Sequence, residues 1–122
     1  MRAFFLVSFA AALVVTLVMA WLPHPPAVPW HEDDKFWHVI AFIALSLLAS
    51  LAFPAAPLAR IGERLSFLGA LIEVVQSIPA LHRDCDIRDW IADTLAVAAT
   101  LAIVAGARWL WRRRRAAGAV TP

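Results

Sequence analysis

The chain has 122 residues, of which 62% are hydrophobic and 16% charged, and a formal net charge of +2. Soluble domains average about 45–50% apolar residues, so this composition points to an integral membrane protein and argues against an ordinary water-soluble enzyme. At roughly 20 apolar residues per bilayer span, a chain of this length holds four spans with short connections and no separate catalytic domain, and its single cysteine, Cys85, builds no disulfide scaffold.

The first predicted span, residues 3–22, lies between Arg2 and the helix-breaking stretch Pro23-His24-Pro25-Pro26. Arg2 and the small residues around Ala20 also suit a signal peptide, but a cleaved signal has an apolar region of only about 7–15 residues. The length therefore favours an uncleaved anchor. The second span, residues 36–53, follows the polar cluster His31 to Lys35 and ends at Pro54. The third, residues 62–79, is barely long enough for a bilayer and contains Glu73 and Gln76, which a span tolerates when neighbouring helices enclose it. The fourth, residues 90–110, runs into Trp111 and the sequence Arg112-Arg113-Arg114-Arg115, read as a basic cytoplasmic tail over 111–122. The expected fold is an all-α four-helix membrane bundle forming one domain.

Basic residues give the expected orientation, because Lys and Arg are retained on the cytoplasmic side. Arg2, Arg60, Arg64, Arg108 and Arg112 to Arg115 fall on one side, eight of the 11, whereas Lys35, Arg83 and Arg88 fall on the other. Both termini are thus expected in the cytoplasm of a bacterial inner membrane. Trp21, Trp30, Trp37 and Trp90 then mark the outer interface, and Trp109 and Trp111 the inner one.

A charged side chain inside a span costs at least about 2.5–3.5 kcal/mol on insertion scales, so it needs a partner, a watery pocket or a function. His38, Glu73, Gln76 and Asp93 all fall within roughly 10 Å of the outer boundary at the helical rise of about 1.5 Å per residue. Residues three or four apart share a helix face, which pairs Asp34 with His38, Lys35 with His38, Glu73 with Gln76 and Asp89 with Asp93. The outer loop adds Arg83, Asp84, Asp86 and Arg88. Each residue alone has a plainer explanation. Asp34-Lys35 suits a helix start, His38 a structural histidine, Asp89 an N-cap, and the arginine run a topological anchor that also attracts anionic lipid. Their shared depth is what predicts a single polar cluster opening outward, with His38, Glu73, Arg83 and Asp89 around it.

The order Asp34-Lys35-x-x-His38, then Ala41-Phe42, Glu73-x-x-Gln76, and Arg83 ahead of Asp89-Trp90 with polar Asp93, resembles the VanZ-like family of small bacterial membrane proteins across about residues 34 to 106. That resemblance implies a multi-pass protein of the cell envelope, in a family named for a member linked to teicoplanin resistance and without a defined biochemical activity. The family pattern continues Ala-Asn and then Gly, whereas this chain has Ala92-Asp93, Ala96 and no glycine before Gly106. A carboxylate thus replaces an amide, and the lost glycine predicts looser packing of the fourth helix.

The leading expectation is a protein whose outward pocket binds an envelope lipid, a lipid-linked precursor or another membrane protein. Lys35 and Arg83 would hold phosphate or carboxylate, and Glu73 with Gln76 would orient hydroxyl or amine groups. Asp34, Asp86, Asp89 and Asp93 complete the candidate set. The alternative is an intramembrane acid–base enzyme using Glu73 and His38, with Asp34 or Asp89 fixing the imidazole tautomer. Cys85, Ser77 and Thr94 lack a nucleophile motif, and His38, Glu73, Asp89 and Asp93 lack a standard metal-ligand spacing, so no cofactor or metal is expected. A proton-coupled carrier would need polar residues through the full depth, yet the inner half offers little beyond Ser46, Ser50 and Ser66. Nothing in the basic tail calls for nucleic acid.

Overall fold

The computed structural model describes residues 1–23, 34–83 and 85–118; the side chain of Asp34 and the whole of Asp84 lie outside this description. Four α-helices follow one another: α1 (Arg2–Trp21), α2 (Asp34–Ala52), α3 (Leu58–Gln76) and α4 (Ile87–Gly118), with a 3-10 turn at Pro79–Leu81 before α4. No strand occurs among the described residues. Apolar runs without internal proline sustain each helix, and proline punctuates them. Pro23 follows α1, Pro54 follows α2, Pro57 precedes α3 and accepts the first helical bonds from Arg60 and Ile61, and Pro79 closes the segment after α3.

The third helix begins and ends earlier than the span expected from the sequence. Pro57 presets a backbone angle from which a helix starts directly, so Leu58 to Ile61 join α3, while Ser77 and Ile78 turn toward Pro79 and leave it. The fourth helix is longer than expected, since no proline or glycine stops it at the arginines. Its 32 residues run to Gly118, about 48 Å at 1.5 Å per residue. Stacking of Arg113 on Trp109 and Arg115 on Trp111, at 3.9 and 3.8 Å from the ring centres, lines the extension. The segment read as a tail is therefore helical as far as Gly118.

Long-range contacts fix the helix directions. Gln76 Nε2 at the end of α3 donates to the Ala20 carbonyl at the end of α1, so α1 and α3 run parallel. Arg108 Nη2 on α4 reaches the Ser50 carbonyl near the end of α2 at 2.6 Å, and Lys35 at the start of α2 meets Asp89 at the start of α4. Those two helices are also parallel. The ring of Phe9 in α1 packs edge-on against Phe53, just past α2, as an antiparallel pair requires. The result is an up-down-up-down bundle in which α1 ends, α2 starts, α3 ends and α4 starts at one end, called here the loop end.

The apolar core is carried by Phe42, Leu45 and Ala49 of α2, Ile61, Leu65 and Ile72 of α3, and Val97 and Leu101 of α4. From α1 only Ala20 is buried, and Phe4, Val7, Val14, Val15 and Val18 stay exposed. In water such a helix would be untenable; in lipid it is ordinary. Helices α1, α2 and α4 are long and apolar enough to cross a membrane, as expected of a membrane protein. Helix α3 matches α2 at 19 residues but carries Arg60, Glu63 and Arg64, all exposed within its first two turns, and Glu73, which is buried.

Close packing of α3 on α4 comes from the α3 side. A Cβ on Gly69 would lie 3.3 Å from Trp90 Cδ1, 3.5 Å from Phe42 Cζ and 3.6 Å from Asp93 Oδ2, and one on Gly62 would lie 3.3 Å from Leu101. A Cβ on either glycine of α4, Gly106 or Gly118, would meet nothing within 4 Å. The expected loosening of α4 is thus offset by glycines on its neighbour.

Candidate functional site

Helix capping shapes the loop end first. Asp86 Oδ1 accepts from the Arg88 N–H and the Asp86 carbonyl accepts from the Asp89 N–H, so Asp86 starts α4 in the manner of an N-cap. That start directs Asp89 and Asp93, one turn apart, to the same inward face. Upstream, His82 adopts a left-handed backbone at φ 49° and ends the 3-10 turn, its Nδ1 3.1 Å from the Ala80 carbonyl. The Asp86 backbone lies back against α3, where its N–H meets the Glu73 carboxylate.

Four ionisable side chains are buried there: Asp93 at 0% exposure, Glu73 at 6%, and His38 and Asp89 at 7%. His38 Nδ1 faces Asp93 Oδ2 at 3.4 Å, a long contact in which the Nδ1–H tautomer donates to the carboxylate. Lys35 Nζ lies 3.1 Å from Asp89 Oδ1 and 3.9 Å from the more exposed Asp86 Oδ2. Glu73 points inward and not toward lipid. Its Oε2 accepts from the Asp86 N–H at 3.0 Å, the Cys85 thiol is a second neighbour, and His38 and Asp89 lie within its electrostatic reach. Its Oε1 is buried with no hydrogen-bond partner among the described residues, and so is Trp21 Nε1.

The structure therefore brings Lys35, His38, Glu73, Asp86, Asp89 and Asp93 to one end of the bundle. Two expected roles change. The imidazole is oriented by Asp93, not by Asp89, which is engaged by Lys35; the side chain of Asp34 falls outside the described residues. Gln76, almost fully buried, uses its amide N–H on the Ala20 carbonyl and pins α3 to α1. Arg83 sits half-buried on the loop. Cys85, read as lacking a nucleophile motif, and Trp21, read as an interfacial marker, were not among the expected site residues, because only packing between elements brings Cys85 to Glu73 and buries Trp21 Nε1.

Toward the middle of the bundle the polar contacts become structural. Ser66 Oγ and Thr94 Oγ1 share a 2.8 Å hydrogen bond, and Trp90 Nε1 donates to the Ser66 carbonyl. Ser46, Ser50 and Thr100 donate to backbone carbonyls of their own helices. A shallow cleft lined by Gly62, Glu63, Ser66, Thr94, Val97 and Ala98 opens sideways between α3 and α4. No group of three or more His, Cys, Asp or Glu placed to hold a metal occurs among the described residues.

The end-to-end charge distribution is strongly polar. Along the sequence, eight of the nine acidic residues, all but Glu63, belong to the loop end, together with three of the 11 basic residues. One consequence is measurable at Cys85. Although the residue is exposed, partial desolvation of its thiol, then its hydrogen bond to Glu73, then the charges of Glu73, Asp86 and Asp89 push its pKa above the ordinary thiol value. Maleimides consume thiolate, so a raised pKa means slow labelling at pH 7 and acceleration as pH rises past the usual thiol range. Removing the Glu73 charge lowers that pKa again. Labelling of Cys85 at pH 7 in the Glu73→Gln variant is expected to be several-fold faster than in wild type. An unchanged rate across the pair would place Glu73 out of contact with Cys85.

Comparison of the chain with protein-family models, with curated proteins and with solved structures finds no match.

Proposed function

We propose that this chain is a VanZ-like multi-pass protein of the bacterial inner membrane, whose polar pocket at the loop end faces outward and binds an envelope lipid, a lipid-linked precursor or a membrane partner. The carrying observation is the burial of His38, Glu73, Asp89 and Asp93 together at that one end. Desolvating four ionisable groups is costly, and they are confined to one depth, whereas buried hydroxyls deeper in the bundle bond to their own helices. Such an arrangement suits a binding pocket better than a path through the membrane.

Orientation rests on the eight basic residues at the opposite end. With both termini in the cytoplasm, a membrane-impermeant maleimide at pH 9 labels Cys85 in intact cells; labelling only after permeabilisation would reverse the orientation. Binding is tested by native mass spectrometry on protein purified with its membrane lipids. Selective retention of one envelope lipid or precursor by wild type, lost in Glu73→Gln, supports the pocket. Indifferent retention by both proteins would reduce it to a structural polar cluster.

A second reading, an intramembrane acid–base enzyme acting on an envelope lipid or peptidoglycan precursor, is favoured by the His38–Asp93 pair alone. Asp93 holds the ring through Nδ1, which makes Nε2 the proton-transferring atom of such an enzyme. Conversion of a retained lipid to a new mass, abolished by His38→Gln, would establish this reading over simple binding.

A further inference from the structure

We infer that the face of α3 turned away from its own bundle is a contact between two copies of this chain, with the two α3 helices parallel and Glu63 of each copy paired to Arg64 of the other. Helix α3 falls short of the apolarity that lets the other three helices face lipid. Yet it runs alongside them, pinned to α1 by the Gln76 amide and packed closely on α4 at Gly62 and Gly69. Glu73 is turned inward, but Arg60, Glu63 and Arg64 are exposed. Arginine reaches the interface along its stem, whereas a shorter glutamate carboxylate held against lipid is costly. A partner that covers this face removes the cost.

The exposed residues form a regular seam. Arg60, Arg64, Phe67, Leu71 and Val74 follow one another at spacings of four, three, four and three, and all five are exposed, Phe67 at 71% and Val74 at 65%. A period of 3.5 residues keeps a stripe on one side of a helix and is the seam of a left-handed helix pair. Here it holds for two heptads, roughly 21 Å at 1.5 Å per residue. The buried residues Ile61, Leu65, Gly69, Ile72, Glu73 and Gln76 occupy the opposite side of α3. The seam therefore points out of the bundle and away from Glu73, so it stands or falls independently of the pocket reading.

Phe67, Leu71 and Val74 alone would suit lipid as well as a partner. The charges choose between them. In a parallel helix pair, a seam residue of the kind Arg64 represents packs into a hole bounded by the partner's same residue and by the residue just before it. Glu63 is that preceding residue. About a two-fold axis along the membrane normal, each copy thus presents Arg64 to the other's Glu63, and the pair forms twice. Within one copy the two are adjacent and do not face each other, and neither makes an ion pair with another of the described residues. Glu63 lies on the α4 side of the seam, where it lines the sideways cleft with Ser66 and Thr94. An antiparallel alignment of the same seam would set Arg60 and Arg64 against Val74 and Leu71 and leave the charges unmatched, whereas a second copy inserted in the same orientation supplies the parallel one.

The test is disulfide cross-linking of the full chain in native membranes, in a Cys85→Ser background. Phe67→Cys and Leu71→Cys are expected to give several-fold more covalent dimer than Val15→Cys on α1 or Leu95→Cys on α4, whose side chains are also exposed. Two differently tagged copies, both carrying Phe67→Cys, then receive Glu63→Arg or Arg64→Glu. Expressed alone, each brings like charges together across the seam and should lower its dimer about tenfold. Expressed together, the two should cross-link to each other near the level of the unreversed chain, since each again meets the opposite charge; that recovery also shows that both variants fold. Absence of a Phe67→Cys dimer above the Val15→Cys level overturns the inference. So does a dimer indifferent to both reversals, or one lost in each and not recovered in the mixture. A Phe67→Cys product whose mass is not that of two copies would overturn it as well, by assigning the face to a different membrane protein.

Discussion

Replacing His38 by leucine is expected to destabilise the bundle by about 3–5 kcal/mol, the loss seen when one partner of a buried charge pair is removed. Asp93 has no exposed surface, and its Oδ2 lies 3.4 Å from His38 Nδ1. Leucine fills similar space, so the penalty falls on the carboxylate deprived of its imidazole partner. Asp93→Asn, by contrast, leaves an amide oxygen that still accepts from Nδ1–H, and is expected to cost less than about 1 kcal/mol. The double variant His38→Leu with Asp93→Leu should recover most of the single-variant loss, because apolar replacement of both members of a buried pair is often neutral. Reversible unfolding in mixed micelles measures all three. Interhelical hydrogen bonds in membranes average only about 0.6 kcal/mol. A His38→Leu loss of that size would mean that the pair acts as one ordinary hydrogen bond and that Asp93 is already neutral.

Much of the fold was legible because membrane helices must satisfy their own backbone and are announced by length and composition. Arg2 and Pro23 bracket α1, and Pro54 the end of α2, closely in the structure. The errors fell where the sequence carries charge. Arg60 was read as loop, yet an exposed basic residue in a first turn reaches the interface along its own side chain, so α3 accommodates it. The arginines after Trp111 were read as tail for the same reason. Arginine is a good helix former, and stacking on Trp109 and Trp111 supports the helix beyond its apolar stretch.

For the candidate site, spacing and depth assembled the right neighbourhood but not its pairings. The i, i+4 relation of Asp89 and Asp93 placed both on one face of α4; which of them met His38 and which met Lys35 depended on the axial offset of α2 against α4, which no local pattern encodes. Gln76 shows the same limit. Its spacing from Glu73 suggested shared ligand work, whereas its amide is committed to Ala20 on a helix more than fifty residues away in sequence. Trp21 read as an interfacial anchor, and only the packing of the end of α1 against the core buries its Nε1.

Gly69→Leu is expected to cost roughly 2–4 kcal/mol and to dismantle the site from a distance. The Cβ alone meets Trp90, Phe42 and Asp93 at 3.3, 3.5 and 3.6 Å, so there is no room for a branched side chain. Overpacking of this kind costs about 1–3 kcal/mol, and displacing Trp90 adds about 1 kcal/mol for the hydrogen bond from its Nε1 to Ser66. Gly69→Ala introduces only the 3.3 Å contact, and the gain of about 1 kcal/mol in helix propensity offsets it. Near-neutral stability is therefore expected for alanine. Gly106→Leu, facing open space, is the control and should lose no stability, gaining up to about 1 kcal/mol from helix propensity. Because the crowded atoms include Asp93 Oδ2, separation of α3 from α4 at Gly69 should also loosen the His38–Asp93 pair and weaken retention of any lipid held at the loop end. Stability and lipid retention should therefore fall together in Gly69→Leu and neither in Gly106→Leu; loss of stability with lipid retention intact would separate the packing of Gly69 from the site.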